Sequence, residues 1–395
     1  MIDPRIERGL YKDKGANHSS KKEQILNHDG RRRENLWKRS VDVLMKQLRD
    51  RSTSKKPAHD VELARQYSPT MDGLEHALID AVSCWSNVIE FSANWWESAP
   101  VRQLESFLPI AWSTFGRNLQ KVSLGGNLAR IQTLVSSAYH LPSLRELRFE
   151  FTNNILRVDD VADMTTLADV IAPLINGVSS TLETLAISSW ASIDLSEFFL
   201  RLGFFPLLRH FTARVPFNKA FSLNPDGFTR LLRDHSHTLT SVALRLNPSG
   251  SMVNPSTEES LCRWMTSTSS DPLILTNLTT IQMYPTLLAT GFEAFLAFLG
   301  RSADTLTEVR VRDRYLSYDE VESIISTFSH RPVASRLTIL RLNVRILSLR
   351  LIDLFAATLP TLFELCLFTG ESWRDGGVEG TPSVSQQSSS TEESC

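Results

Sequence analysis

The chain has 395 residues, 42% hydrophobic and 22% charged, with a formal net charge of −2 at pH 7. That balance excludes a wholly disordered polypeptide and gives no overall electrostatic drive toward nucleic acid or anionic lipid. The charge is unevenly placed: residues 1–66 hold 17 Lys and Arg against 10 Asp and Glu, which leaves 25 against 34 in the remainder.

In chain order, residues 1–66 read as a basic N-terminal arm, partly disordered, with Lys21-Lys22 and Arg31-Arg32-Arg33 as clusters. Leu36, Trp37, Val41, Leu44, Met45 and Leu48 fall on one face at helical spacing, so one amphipathic helix is predicted there. It suits a cap on the exposed end of a repeat array, with docking on a partner helix as the alternative. The basic clusters are short and interrupted, as in a solvated arm, with nuclear import as the alternative. No apolar run of a secretory signal opens the chain, and no uncharged apolar stretch reaches the roughly 18 residues a membrane span needs. A soluble cytoplasmic protein is expected, with nuclear entry left open and neither membrane nor specific nucleic acid as partner. The four cysteines, Cys84, Cys262, Cys366 and Cys395, form no CxxC pair and suit a reducing compartment.

Beyond the arm a Leu-x-x-Leu-x-Leu unit recurs with conservative replacements. It reads Leu119/Val122/Leu124, Leu144/Leu147/Phe149, Leu182/Leu185/Ile187, Leu208/Phe211/Ala213 and Leu239/Val242/Leu244. It continues as Leu278/Ile281/Met283, Leu306/Val309/Val311, Leu337/Leu340/Leu342 and Leu362/Leu365/Leu367, with a weaker forerunner at Trp85, Ile89 and Phe91. The first Leu advances by 25, 38, 26, 31, 39, 28, 31 and 25 residues, so two longer steps mark inserted loops. Alternate apolar residues put both leucines of Leu-x-Leu on one face of a short strand.

Between the units lie apolar residues at helical spacing, as in Val161 to Ile175, Phe292 to Leu299 and Val321 to Phe328. Capping-box pairs open several of these helices: Ser256/Glu259, Thr290/Glu293 and Ser317/Glu320, with Asp194/Glu197 as a looser case. A strand–turn–helix unit cannot bury its apolar face alone, but stacked units can. The expected fold is therefore α/β: a leucine-rich-repeat solenoid, or horseshoe, over residues 67–370, with a parallel inner sheet and outer helices. A disordered Ser-rich tail is expected over 371–395.

The chain contains neither GxxxxGK[ST] nor GxGxxG, and Gly125-Gly126 reads as a turn after a strand. His235-Ser-His237 has no third ligand nearby and reads as surface polarity in a loop. No cofactor or metal is expected, and the chain reads as a binding protein, not an enzyme. Its working surface would be the concave sheet face, where the residues between the leucines point outward. Arg148, Arg214, Arg245, Tyr284, Arg310, Arg312 and Arg341 are the candidate partner-binding residues on that face. Recurrent guanidinium groups suit a protein segment that is acidic or phosphorylated. The alternative is that they only keep an exposed face soluble.

The segments Leu141-Pro-Ser-Leu-Arg-Glu-Leu-Arg-Phe149 and Leu359-Pro-Thr-Leu-Phe-Glu-Leu-Cys-Leu367 resemble the leucine-rich part of fungal F-box proteins. The resemblance covers about Trp85 to Thr369. It implies a substrate receptor of a ubiquitin-ligase pathway, with the repeats holding the substrate and a cullin-ligase adaptor as second partner. The Leu-Pro-x-Glu-like opening of an F-box is not found in Met1 to Thr70. A free-standing repeat scaffold or small-GTPase regulator is the alternative.

Overall fold

The computed structural model describes residues 79–94, 107–138, 140–152, 161–189, 193–217, 219–246, 255–329 and 335–372. The chain divides into two units, Met1–Thr70 and Met71–Cys395, and every described residue belongs to the second. The expected arm helix at Leu36 to Leu48, the basic clusters and the Ser-rich tail from residue 373 onward lie outside the described residues.

The fold is α/β. Its ten strands are β1 (Glu90–Asn94), β2 (Lys121–Gly126), β3 (Glu146–Phe151), β4 (Thr184–Ser189), β5 (His210–Arg214), β6 (Ser241–Leu244), β7 (Thr280–Met283), β8 (Glu308–Leu316), β9 (Ile339–Leu347) and β10 (Glu364–Ser372). They form one sheet in strict chain order, and every neighbouring pair is parallel. Parallel neighbours need a crossover, and helices supply it. Among the described residues these are α1 (Phe107–Phe115), α2 (Leu128–Val135), α3 (residues 161–177, with a π turn at Leu167–Ile171), α4 (Ser196–Arg201) and α5 (Lys219–Leu223). There follow α6 (Asp226–Asp234), α7 (Pro255–Ser270), α8 (Ala289–Ser302), α9 (Tyr318–Ser329) and α10 (Leu349–Thr358). Packing runs from α4 to α6, then from α7 to α8, α9 and α10 in turn.

The leucine periodicity decides which sheet face is covered. Leu147, Leu185, Phe211, Val242, Ile281, Val309 and Leu340 are all buried in one continuous core. The strand residues of opposite parity, such as Arg148, Ala186, Thr212, Ala243 and Gln282, stay exposed or half-exposed. A parallel sheet normally has both faces covered by helices. Among the described residues, one face here is helix-covered and the other open. Beneath β5 and β6 the core is aromatic: the Phe199 and Phe228 rings meet edge to face at 4.8 Å, and Trp264 packs on Phe228 at 5.3 Å. Gly227 opens that contact, since a Cβ there would stand 2.7 Å from the Phe199 carbonyl carbon.

Register is set at the strand starts. The Arg209 carbonyl accepts the N–H groups of Thr240 and Ser241, that of Thr240 accepts Thr279 and Thr280, and that of Thr279 accepts Thr307 and Glu308. A threonine ladder reinforces this line. The hydroxyls of Thr279, Thr307 and Thr338 donate to the carbonyls of Thr240, Thr279 and Thr307 at 3.0, 3.0 and 3.1 Å.

Several local expectations need correction. Gly125 and Gly126 lie within β2, and a Cβ on Gly125 would collide with the Asn94 side chain of β1, so this glycine permits close strand approach. Thr290 does not cap α8: the N-cap is Leu288, without a side-chain bond, and Thr290 Oγ1 lies 2.8 Å from Cys262 Sγ. Asp194 accepts from the Ser196 N–H in a local turn at 2.9 Å, so it forms no box with Glu197. The Ser256 side chain lies outside the described residues. The box at Ser317/Glu320 does form: Glu320 accepts from Ser317 N–H at 2.8 Å and Ser317 Oγ from Glu320 N–H at 3.3 Å. Asn127 and Ser348 cap α2 and α10 without having been expected to.

His235 is not a surface residue. It is buried, with Nε2 accepting from Phe205 N–H at 2.8 Å and Nδ1 lying 2.7 Å from the Leu231 carbonyl. One acceptor and one donor nitrogen define a neutral ring. Burial pulls its pKa below the ordinary value against the weaker pull of the Leu231 carbonyl. At the far end of the sheet β10 is poorly covered, with Phe363 90% exposed and Leu365 and Phe368 accessible. Among the described residues no helix is long and apolar enough to cross a membrane.

Candidate functional site

The open face holds six of the seven expected partner-binding residues. Most of its arginines already have a carboxylate beside them. Arg148 on β3 lies 2.5 Å from Glu146, two residues back on the same face, and Glu146 also meets Lys121 of β2 at 3.6 Å. Arg310 pairs with Glu308 in the same way on β8. Arg341 on β9 reaches Glu364 on β10 at 2.7 Å, while its buried Nε–H has no acceptor among the described residues. The stripe read from the sequence is thus largely a row of internal ion pairs.

Tyr284 is the exception in position. Extrapolating the alternation of β7 puts it on the open face, but β7 ends at Met283 and Tyr284 is only 3% exposed. Its hydroxyl lies 3.0 and 3.2 Å from the two carboxylate oxygens of Glu258, a buried residue of α7. Glu258 also accepts the Leu287 N–H, which fixes the loop where Thr286 takes a positive φ of 61°. Burial, followed by the Glu258 charge, pushes the Tyr284 phenol well above its ordinary pKa. Tyr284 is a core residue that closes the β7–α8 turn and is withdrawn from the candidate surface.

Its departure leaves a gap in the outermost open-face row, which Arg245 and Asp313 span. Arg245 follows β6 and stays in ladder register, its N–H donating to the Ala213 carbonyl at 2.8 Å, so it lies beside Arg214 of β5. Asp313 lies two strands away, in a bulge of β8 where pairing with β9 jumps from Arg310↔Arg341 to Tyr315↔Asn343. Arg245 Nη2 donates to Asp313 Oδ1 at 2.5 Å and its Nε to Oδ2, a bidentate pair half-shielded from solvent.

The bulge is anchored from below. Asp313 has a φ of 60°, a conformation an aspartate adopts only at a cost. Arg314 points into the core, where Nη1 donates to the carbonyls of Thr286 and Leu288 at 2.6 and 3.2 Å and Nη2 to Glu320. Its guanidinium also lies 5.0 Å from the centre of the Phe292 ring. For Glu320, burial acts to raise the pKa, but the Ser317 N–H and Arg314 outweigh it and hold the carboxyl below its ordinary value. Arg314 and Glu320 therefore fix the bulge that presents Arg312 and Asp313 on the other side.

The result is a charged rim at the C-terminal ends of β5 to β8. Arg214, Arg245 and Arg312 supply positive charges there and Asp313 a negative one, while Glu150 of β3 stands two strands beyond Arg214 in the same row. The groups act on one another: burial and then Arg245 pull the Arg214 pKa down, Glu150 and Asp313 raise it, and Arg312 lowers it further. Asp313, Arg314 and Tyr315 were not expected at the site. The signal was present in Arg310-Val-Arg-Asp-Arg-Tyr-Leu316, where three consecutive charged residues break strand alternation.

A shallow groove between α7 and α8, lined by Glu259, Cys262, Arg263, Leu288 and Thr290, lies on the helical side and shares no lining residue with the rim. Among the described residues no three His, Cys, Asp or Glu side chains converge as metal ligands. Neither a family model nor a curated protein matches this chain.

Proposed function

We propose that the chain is a leucine-rich-repeat solenoid of horseshoe type that holds a protein partner on its open sheet face and catalyses no reaction. The observation that carries this reading is a ten-stranded parallel sheet with one polar face left uncovered. Helices are about 10 Å wide while strands lie about 4.8 Å apart, so stacking strand–helix units bends the array and makes the open face concave. Half-exposed residues with small side chains, such as Ala186 and Ala243, leave room for a ligand between the charged ends. The resemblance to fungal F-box repeat proteins extends the proposal to a ubiquitin-ligase substrate receptor, with the bound protein as substrate.

The test is affinity purification of the full chain beside an Ala243→Trp variant, whose indole would fill the middle of the open face. A discrete partner retained by the wild type and lost from the variant supports the reading. Equal retention contradicts it. Co-purification of a cullin-ligase adaptor supports the receptor form, and its absence beside a retained partner supports a free-standing scaffold.

A further inference from the structure

We propose that the rim across the C-terminal ends of β5 to β10 takes one extended peptide segment of a partner protein, acidic at its β5 end and apolar at its β10 end. This rests on the open-face reading above and names the chemistry of the bound segment.

The acidic end follows from charge. Arg214, Arg245 and Arg312 bring guanidinium groups to this row at β5, β6 and β8, and Asp313 answers Arg245. Arg312 makes no ion pair among the described residues, and the bulge that carries it is pinned by Arg314. A carboxylate brought beside Arg312 meets a donor carried on a preorganised bulge, so little ordering cost opposes the new charge-assisted bond.

The apolar end follows from the same row. Tyr315, Asn343 and Phe368 occupy matched positions on β8, β9 and β10, with Tyr315 50% and Phe368 44% exposed. A Cβ on Gly370 would lie 3.5 Å from the Tyr315 ring, so the ring lies against β10 where no side chain intervenes. An exposed tyrosine and an exposed phenylalanine two strands apart on a polar rim supply the aromatic area that anchors partners. From β5 to β10 the row crosses five strand spacings, about 24 Å, which about seven extended residues cover, or six whose end side chains reach outward.

The experiment measures fluorescence anisotropy of labelled Asp-Glu-Asp-Gly-Phe-Leu peptide with the full chain. Saturable binding is expected, weakened about tenfold or more in Arg312→Glu and, to a smaller degree, in Arg312→Gln, as for loss of a charge-assisted contact. Tyr315→Ala should weaken it too, whereas Arg117→Glu, far along the chain beside α1, should leave it unchanged. The amide peptide Asn-Gln-Asn-Gly-Phe-Leu should not bind. Absence of binding, undiminished binding to Arg312→Glu in folded protein, or equal binding of the amide peptide overturns the proposal. Displacement by a single-stranded hexanucleotide at lower concentration than by unlabelled peptide also overturns it, and assigns the rim to phosphates. If Ala243→Trp abolishes partner capture while the peptide fails to bind, the open-face reading stands and this one falls.

Discussion

Arg245 and Asp313, 68 residues apart in the chain, hold each other by two guanidinium–carboxylate bonds over the end of the strand that separates them. The pair can form because Tyr284, next in that row, turns into the core toward Glu258 and leaves the open-face position vacant. A buried phenol on one side of the sheet and an ion pair on the other are thus two consequences of one turn.

The strength of the pair is measurable by a double-mutant cycle with Asp313→Asn and Arg245→Gln. Asparagine tolerates the left-handed backbone, so the first variant removes charge without adding strain. For a half-shielded bidentate pair a coupling of about 1 kcal/mol is expected in denaturant unfolding. Additive effects would show that the pair forms no net stabilising contact.

Arg314→Ala should be the costliest single change at the bulge. It strips the Thr286 and Leu288 carbonyls of a donor and leaves Glu320 without its cation, a loss of about 3–5 kcal/mol for breaking a buried pair. The Glu320 carboxyl is held below its ordinary value of 4.5, so its contribution is present above that pH and is lost as pH falls through the lower folded value. Acid unfolding monitored by circular dichroism should therefore be less steep in Arg314→Ala than in the wild type.

His235 gives a second pH dependence of known sign. Its folded pKa lies below the ordinary 6.5, so the unfolded chain binds the proton more readily. Stability is complete above pH 6.5 and falls as pH drops from there toward the lower folded value. His235→Ala should remove this slope. It should also cost about 1–3 kcal/mol at pH 8 by leaving the buried Phe205 N–H without an acceptor. Unfolding midpoints at pH 8 and pH 5.5 compare the two proteins, and an unchanged slope in the variant would contradict the assignment.

Tyr284→Phe should destabilise the chain by about 1–3 kcal/mol, because Glu258 loses a buried hydrogen-bond donor. The raised phenol pKa means that Tyr284 favours folding below the ordinary value of 10.0 and that this contribution is lost as pH rises beyond it. In absorbance titration of native protein a tyrosine component should resist ionisation near pH 10, and that component should be lost in the variant.

The leucine lattice was legible because burial repeats with the strand period. Leu182, Leu239 and Leu306 begin their units and are fully buried, and the ten strands follow in order. The arginines at 148, 214, 245, 310, 312 and 341 were placed on the correct face for the same reason. Their partners were less accessible. Glu146 and Glu308 stand two residues from Arg148 and Arg310, so a strand places each pair on one face. Asp313 is distant in sequence from Arg245, and only the β8 bulge brings it back. Tyr284 and His235 were misplaced because alternation and loop polarity are local signals. Their burial depends on Glu258 of another element and on the Phe205 N–H 30 residues away.

The open sheet face as partner surface is tested most directly by site-specific photo-cross-linking. A benzophenone side chain is placed at Ala243 on the open face and, separately, at Glu322 on the exposed side of α9, and each protein is irradiated in its own cells. A discrete cross-linked partner from position 243 and none from position 322 is the expected result. A partner captured from position 322 alone would contradict the account.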